Sequence, residues 1–542
     1  MPAAGLIPRA WLAVPLLFLA AVAVAPAWRL LAEGASAADA AWLGVWADPF
    51  WRGRLLWSLA QAALTVALAL ALGVPVAWVL ARRAFPGRAL AMRLLMLPFV
   101  VPTLVAAIGV LALWGPRGWP GAWLAEAGLP LDETPWLLLY GNLFFNLCLV
   151  VRAGVEALER VDGHRVAAAR TLGASPWRAF WRVEWPAIAP WLASAACLVF
   201  LYCYAGFGLA LVLGGPRWAT VEVEIYTLVA HELALGPASA LAAWSLAIGA
   251  AVALGHALLE RRLGAPARWQ PVPRTRPAGA AQWLGVGLAM AVLALICGAP
   301  LLAIAWRAGA ALAGGAAASL AADPQVWLAL GNTLRFSALA LALATALGLL
   351  HALAAHGLAR GGSAVRALAY LPFVLSPVTV AFGLLLLAPG WTASLGLLVA
   401  AYALLAYPFV AQSLGAALDA LPAHWAQAAA TLGAPPRRVL VRVVLPLLAP
   451  ALRRGMAFAA ATALGEFAVS LFLSRPEWVT LTTLIHQRLG RPGAASLDEA
   501  FALAALLMLL ALTAFLLIDG PRRTSSHVSR HAALAASHAR PA

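Results

Sequence analysis

Lysine is absent from this chain, and charge of either sign is scarce. All 37 basic residues are arginine, and Asp and Glu together number 21. Without lysine there is no P-loop, because G-x-x-x-x-G-K-[ST] relies on the lysine ammonium to hold the β/γ-phosphates. The arginine-bearing loops are also too short to be a nucleotide-binding domain. Charged residues make up 11% of the chain, against roughly a quarter in soluble domains, which excludes an ordinary soluble fold. Cysteine is rare too. Cys148, Cys197, Cys203 and Cys297 lie in apolar stretches without metal-ligand spacing, so small buried side chains are expected there and no metal site is. H-E-x-x-H, clustered carboxylates and a serine-nucleophile motif are all missing, which argues against a membrane-embedded enzyme. The net charge of +16 does not describe a nucleic-acid surface, because the arginines sit in short loops between apolar runs.

Those apolar runs are what the sequence does contain. Mean hydropathy is +0.88, and stretches of about 20 apolar residues, enough to cross about 30 Å of hydrocarbon as helices, recur from end to end. Lipid offers backbone amides no partner, so isolated spans must be helical. The expected fold is all-α integral membrane. About twelve spans are predicted, near 10–31, 55–81, 91–114, 135–152, 189–213, 237–260, 281–306, 328–353, 367–388, 395–413, 449–473 and 498–519. The first run, "LIPRAWLAVPLLFLAAVAVAPAW", has features of a signal peptide but is read as an uncleaved span. By arginine placement, "RRAFPGR", "RRLGAPARWQPVPRTRP", "RGGSAVR" and the tail with Arg522 and Arg523 share one side. The acid-bearing segments "AEGASAADA", "LDETP" and "VEVEIY" face the other. The positive-inside rule then puts both termini in the cytoplasm of a multi-pass inner-membrane protein.

The chain repeats itself. Residues 151–190 and 411–450 align without a gap at an offset of 260, with Ala168/Ala428, Thr171/Thr431, Leu172/Leu432, Gly173/Gly433, Arg178/Arg438, Arg182/Arg442 and Pro186/Pro446 among the identities. The match extends to Phe207/Phe467. "LPFV" recurs at 97–100 and 371–374, an offset of 274, which points to an insertion over 115–128 in the first copy. Two tandem parallel-repeat halves related by a pseudo-two-fold along the membrane normal are expected. The division reads as a first helix and outer loop (1–54), unit 1 (55–260), a Pro/Arg-rich linker (261–280), a helix and outer loop (281–327), unit 2 (328–519) and a tail (520–542).

Each half interrupts its apolar pattern once, at "AAARTLGASPWRAFWRVEWPAIAP" and "AAATLGAPPRRVLVRVVLPLLAP". The residues up to Leu172 suit a helix, Gly173 can take positive φ and stop it, and Pro176 suits the first turn of the next helix. Trp177, Phe180 and Trp181 share one stripe at i, i+3, i+4, with Arg178 and Arg182 on another face. Pro186 is expected to end or bend the second helix. A lone copy would be a plain interfacial loop. Two gap-free copies, each with 13 residues from glycine to proline, suit a two-fold symmetric partner.

"AAxTLGAxPxRxxxRVxxP" resembles the EAA loop of ABC-importer permeases, in which that loop docks on the ATP-hydrolysing subunit. The family's glutamate falls on Ala167 and Gln427 here, so its salt bridge is not carried over. The two fused units, with "RVEWPAI", "VLGGPRWATVEVEIYTL" and "GEFAVSLFLSRPEWVTLTTLIHQRLGRPG", are similar to the single-chain permeases of iron(III) and thiamine importers. The resemblance implies a non-enzymatic transport subunit for thiamine or ferric iron. It implies two copies of a cytoplasmic ABC ATPase carrying ATP and Mg, an extracytoplasmic substrate-binding protein, and no cofactor on this chain. It assigns Ala168, Ala169, Gly173, Arg178, Arg182 and Pro186, with Ala428, Ala429, Gly433, Arg438, Arg442 and Pro446, to ATPase coupling.

Glu466 is the clearest ionisable residue within a span, and such carboxylates often line a water-filled path. Tyr204, Phe207 and Phe467 are further path candidates, with Tyr202 beside them; packing is the competing reading for the aromatics. Glu222 and Glu224 fall where the resemblance puts the binding-protein contact, or else on a solvated loop. His164 and His424 repeat within the interruptions. A secondary transporter with two parallel six-helix halves is the alternative function, but it leaves the paired interruptions without a role.

Overall fold

A computed structural model describes residues 8–36, 42, 44–131, 134–262, 270–358, 361–391, 394–473 and 475–520. The tail with Arg522 and Arg523, Asp132 and Glu133 of "LDETP", and most of the 261–269 part of the linker lie outside them. Among the described residues every regular element is helical.

Ten helices are long and apolar enough to cross a membrane, and two bent pairs bring the number to twelve. Counting with each unit the helix that precedes it, unit 1 contains α1 (Ala10–Ser36), α2 (Pro49–Arg82), the bent pair α3 (Arg88–Val100) and α4 (Thr103–Trp114), α5 (Trp136–Glu159), a short α6 (Gly163–Thr171), α7 (Pro176–Tyr204), the short α8 (Gly208–Leu213) and α9 (Val221–Thr227), and α10 (Leu235–Leu259). Unit 2 repeats the order. It contains α11 (Ala280–Ala322), α12 (Pro324–His356), the bent pair α13 (Ala364–Val374) and α14 (Pro377–Leu387), α15 (Leu395–Ala420), α16 (Ala423–Thr431), α17 (Pro436–Leu464), α18 (Ala468–Leu473), α19 (Leu481–Leu489) and α20 (Ala494–Asp519). A short helix over Trp119–Glu126 occupies the expected insertion, where unit 2 has only a 3₁₀ turn at Pro389–Trp391.

The expected spans 91–114 and 367–388 are not straight. α3 and α4 meet at 107°, α13 and α14 at 90°. Proline is the cause in both. Val101, before Pro102, is pushed to extended backbone (φ −71°, ψ 133°). Ser376, before Pro377, is extended as well and caps α14 by accepting from Thr379 N–H at 2.9 Å. The spans 189–213 and 449–473 break too, at 205–207 and 465–467. Residues at all four breaks line one cavity. The helix expected over 281–306 instead continues to Ala322, kinked at Gly315 (φ 102°).

Prolines do not end the long helices. Immediately before Pro26, Pro186, Pro300 and Pro446 the helix widens, and Ala25, Trp185, Ala299 and Leu445 donate to the carbonyl five residues back. One π-type turn moves the carbonyl that the proline ring would strike and absorbs the missing N–H. Pro186 and Pro446 therefore lie inside α7 and α17. Of the two outcomes expected at Pro186, an end or a bend, the helix does not end there: it continues to Tyr204 through the π-type turn.

Each unit's first helix packs between its own unit's last helix and the bent pair of the other unit, α1 between α10 and α14 and α11 between α20 and α4. Leu19, Val22 and Ala23 of α1 belong to the apolar core of unit 2, whereas Leu30 of α1 and Ile296, Cys297 and Ile304 of α11 belong to a cluster that joins the core of unit 1 to unit 2 residues such as Phe467, Leu481 and Leu507. The exchange is symmetric down to single residues. A Cβ on Gly383 of α14 would lie 2.8 Å from the Pro26 carbonyl oxygen of α1, and one on Gly109 of α4 would lie 2.9 Å from the Pro300 oxygen of α11. Only glycine lets the backbones approach so closely.

Linker residues 270–277 form a strap over unit 1. Thr275 exchanges backbone hydrogen bonds with Arg82 and Ala84, each 3.0 Å, and Gly163 N–H donates to the Gln270 carbonyl at 2.8 Å. Arg274 meets Glu159 at 2.6 Å.

Candidate functional site

The two polar interruptions fold into the same object. In unit 1, Asp162 caps α6 by accepting from His164 N–H at 3.0 Å. The other end closes with Gly173 N–H on the Arg170 carbonyl and Ala174 N–H on the Ala169 carbonyl, both 3.0 Å, with Gly173 at φ 83°. In unit 2 Gly433 (φ 80°) bonds to Ala430 and Ala434 bonds to Ala429. This is the Schellman stop, in which a left-handed glycine lets two amides turn back onto the last carbonyls. Thr171 and Thr431 each donate to the carbonyl three residues back, on Ala168 and Ala428, at 2.8 Å. α7 then starts with Ser175 accepting from Arg178 N–H.

Ala168, Gly173, Arg178, Arg182 and Pro186 are exposed and Ala169 is half-buried; Ala428, Gly433, Arg438, Arg442, Pro446 and Ala429 match them one for one. His164 and His424 are exposed on the same elements. Among the described residues no group of three or more His, Cys, Asp or Glu is placed to hold a metal. Trp177, Phe180, Trp181 and Trp185 form the expected aromatic stripe, with successive rings 5.2–6.5 Å apart. Counting each bent pair as one span, the chain crosses six times from one knob to the other, so the two knobs share a face. The strap, which touches Gly163, lies on that face as well.

The knobs also present residues that the sequence reading passed over. Leu172 and Leu432, at the tips, are each 88% exposed. An apolar side chain repeated directly before a turn glycine was the signal available for them.

The four helix breaks enclose a cavity of about 260 Å³ between the units. Its walls include Phe99, Tyr202 and Phe207 from unit 1 and Phe373, Phe409, Phe467 and Glu466 from unit 2. Phe207 and Phe467, equivalent in the repeat, stack on one another with centroids 5.8 Å apart. Phe99 lies 6.2 Å from Phe409 and 5.8 Å from Tyr202. Glu466 is buried, and its Oε1 accepts from Val469 N–H at 3.0 Å at the start of α18. Tyr204, the remaining path candidate, is not on this wall. It is buried against Phe200, centroids 5.8 Å apart, and Tyr202 stands at the cavity instead. The helical turn that carries position 202 inward carries 204 away.

Glu222 and Glu224 are not solvated, nor free for an external contact. Glu222 is fully buried and accepts from Ser245 Oγ at 2.7 Å and from Ser376 Oγ of unit 2. Glu224 pairs with Arg54 at 3.1 Å. Glu222 thus ties unit 1 to the bend between α13 and α14.

Comparison with known proteins places this geometry. Residues 73–265 and 344–519, one segment in each unit, match the family described as "Binding-protein-dependent transport system inner membrane component". The chain is 28% identical over 503 residues to the thiamine transport system permease protein ThiP of Escherichia coli (strain K12), covering 88% of this chain and 90% of that protein. It is 28% identical over 489 residues to the protein of the same name from Brucella abortus (strain 2308), covering 86% and 87%. The sulfate transport system permease protein CysW of Synechocystis sp. is 31% identical over 237 residues, which covers 43% of this chain and 86% of that protein.

Proposed function

The chain belongs to the family of binding-protein-dependent transport system inner membrane components, and from that premise we propose that it moves thiamine, or a closely similar aromatic cation, inward. A substrate-binding protein delivers the solute on the outer side. Two copies of a separate ABC ATPase supply the energy and carry the ATP and Mg. Both knobs and both termini face the cytoplasm, where each knob docks on one ATPase subunit. Closure of the ATPase pair moves the knobs, and the rigid α7 and α17 that start at them move the cavity walls.

The observation that carries this reading is the pairing of two matched exposed knobs with one shared cavity. α7 runs unbroken from the knob at Pro176 to Tyr204, next to the break that lines the cavity, and α17 does the same from Pro436 to Leu464. A load applied at either knob is carried toward the cavity within a single helix, through the π-type turn before Pro186 or Pro446. An ion-driven transporter would give the knobs no work.

Cavity chemistry supports an organic cation over ferric iron. Aromatic faces attract a diffuse positive charge, and Glu466 provides one carboxylate beside them. Ferric iron prefers several hard oxygen ligands, and one carboxylate among phenyl rings does not supply them. The full-length relatives named above are called thiamine permeases, and that name agrees with the chemistry.

The test is uptake of labelled thiamine by a thiamine-auxotrophic strain lacking its own permease, expressing this chain with its ATPase and binding protein. ATP-dependent, vanadate-sensitive uptake is expected, falling at least tenfold in Glu466→Gln. Uptake that survives ATP depletion and collapses with an ionophore, or no thiamine uptake at all, overturns the proposal.

A further inference from the structure

The cavity obeys the repeat at two pairs of phenylalanines and breaks it at its carboxylate and its amides. Phe99 answers Phe373 and Phe207 answers Phe467, but Glu466 answers Gly206. Asn142 and Asn146, both on the cavity wall, answer Tyr402 and Ala406. The two polar ends are anchored in different units. Glu466 is held in unit 2, where Val469 N–H meets its carboxylate and Thr482 Oγ1 donates to its backbone oxygen at 3.0 Å. The asparagines are held in unit 1. Asn142 Nδ2 donates to Gln61 Oε1 at 2.8 Å, Gln61 Nε2 donates to the Cys203 carbonyl at 2.9 Å, and Asn146 Nδ2 donates to the Asn142 carbonyl at 2.9 Å.

This chain of bonds fixes which way Asn146 faces. Reversing its amide would set Oδ1 against the Asn142 carbonyl, two acceptors without a proton between them. Oδ1 is therefore committed elsewhere. Asn146 is only 3% exposed, and Oδ1 has no partner among the described residues. Nδ2 also meets Cys203 Sγ at 3.3 Å. A buried amide oxygen is rarely left without a donor; Oδ1 lies just behind the cavity surface with almost no exposed area of its own, so a donor on the solute reaches it as the wall gives way on entry.

We infer that Gln61, Asn142 and Asn146 form a second, uncharged recognition pole of the cavity, with Asn146 Oδ1 accepting a hydrogen bond from an N–H on the neutral end of the solute. The inference rests on the proposed role of the cavity as the solute's path and specifies the solute class: a flat, two-ended cation with its charged ring toward Glu466 and a ring amino group toward Asn146. A strictly two-fold cavity would accept such a molecule equally well in either direction. A carboxylate in one unit and an amide in the other remove that degeneracy.

Asn146→Ala tests it, because alanine is what unit 2 carries at the equivalent position. The KM for uptake is measured for thiamine and for its desamino analogue, in wild type and variant, in the strain described above. Any preference of the binding protein is common to both and cancels in the ratio of ratios. The variant is expected to raise the KM for thiamine about tenfold, the size of one hydrogen bond to a buried acceptor, and to leave that for the analogue unchanged. An unchanged ratio with thiamine uptake intact overturns this inference alone, whereas absence of thiamine uptake in wild type overturns the proposed function and this inference with it. Should Asn146→Ala fail to accumulate in the membrane, Asn146→Ser is read by the same ratio.

Discussion

The tips of the two knobs give the sharpest quantitative prediction. Leu172 and Leu432 are each 88% exposed, so nearly all of the apolar surface of each side chain is available to a partner. Fully burying a leucine is worth about 1.5–3 kcal/mol. Under the proposed docking of one ATPase subunit on each knob, the two leucines together would contribute about 3–5 kcal/mol, after a small discount for what is already covered. That corresponds to roughly 10²–10⁴ in affinity. The perturbation is Leu172→Asp with Leu432→Asp, which removes the apolar contribution and adds a carboxylate that must be desolvated on docking. The assay is titration of a labelled ATPase pair against the permease in nanodiscs, with ATPase stimulation recorded alongside. The permease itself should be unaffected in thermal unfolding, to within about 0.5 kcal/mol, because a substitution at a solvent-facing position disturbs little. A double variant that binds the ATPase within threefold of wild type refutes the assignment of these tips to the docking interface. A variant that unfolds refutes the claim that the leucines serve nothing inside the chain.

Three further outcomes follow from the geometry. Gly383→Ala and Gly109→Ala each push a methyl into a backbone oxygen of the exchanged helix, and each is expected to cost about 1–3 kcal/mol in detergent melting; a neutral result would mean that α1 and α11 do not pack as described. Arg82 and Glu184 form an ion pair at 2.9 Å with both side chains under 10% exposed, so Glu184→Ala alone should cost about 3–5 kcal/mol, while Arg82→Leu with Glu184→Val, the residue that unit 2 uses at Val444, should fall close to wild type. Gly173→Ala meets no atom within 4 Å yet keeps a φ of 83°, so it is expected to cost about 1–2 kcal/mol of local strain, visible as faster amide exchange over 170–175 with global melting unchanged.

The parts legible in the sequence were those set by local rules. Composition dictated helices, and hydropathy placed most of the spans. The turn glycine of each interruption was readable because a left-handed residue after a helix is a local event, and the structure gives Gly173 and Gly433 nearly the same φ. What escaped was either hidden by apolar continuity or carried by distance. The 107° and 90° bends interrupt runs that stay greasy through Pro102 and Pro377, so hydropathy counts them as ordinary spans. Glu222 looked like a solvated acid because its partner Ser376 is 154 residues away. Nothing near α1 says that Leu19, Val22 and Ala23 pack in the core of the other unit; the 274-residue offset that pairs Gly109 with Gly383, and Pro26 with Pro300, carried a trace of it. Tyr204 and Tyr202 could not be told apart in a helix that is apolar on every face.

The crossed placement of the leading helices bears on how such a chain is made and mended. When ribosomes have finished residue 260, the first half already contains a helix of which one side, including Leu19, Val22 and Ala23, has no seat yet, and it lacks the helix that must lie against its own α4. Assembly of either half is then complete only when both have been inserted. A gene cut within the linker would yield two fragments that are each unstable when expressed singly and rescue one another when expressed together, each lending the other its opening helix.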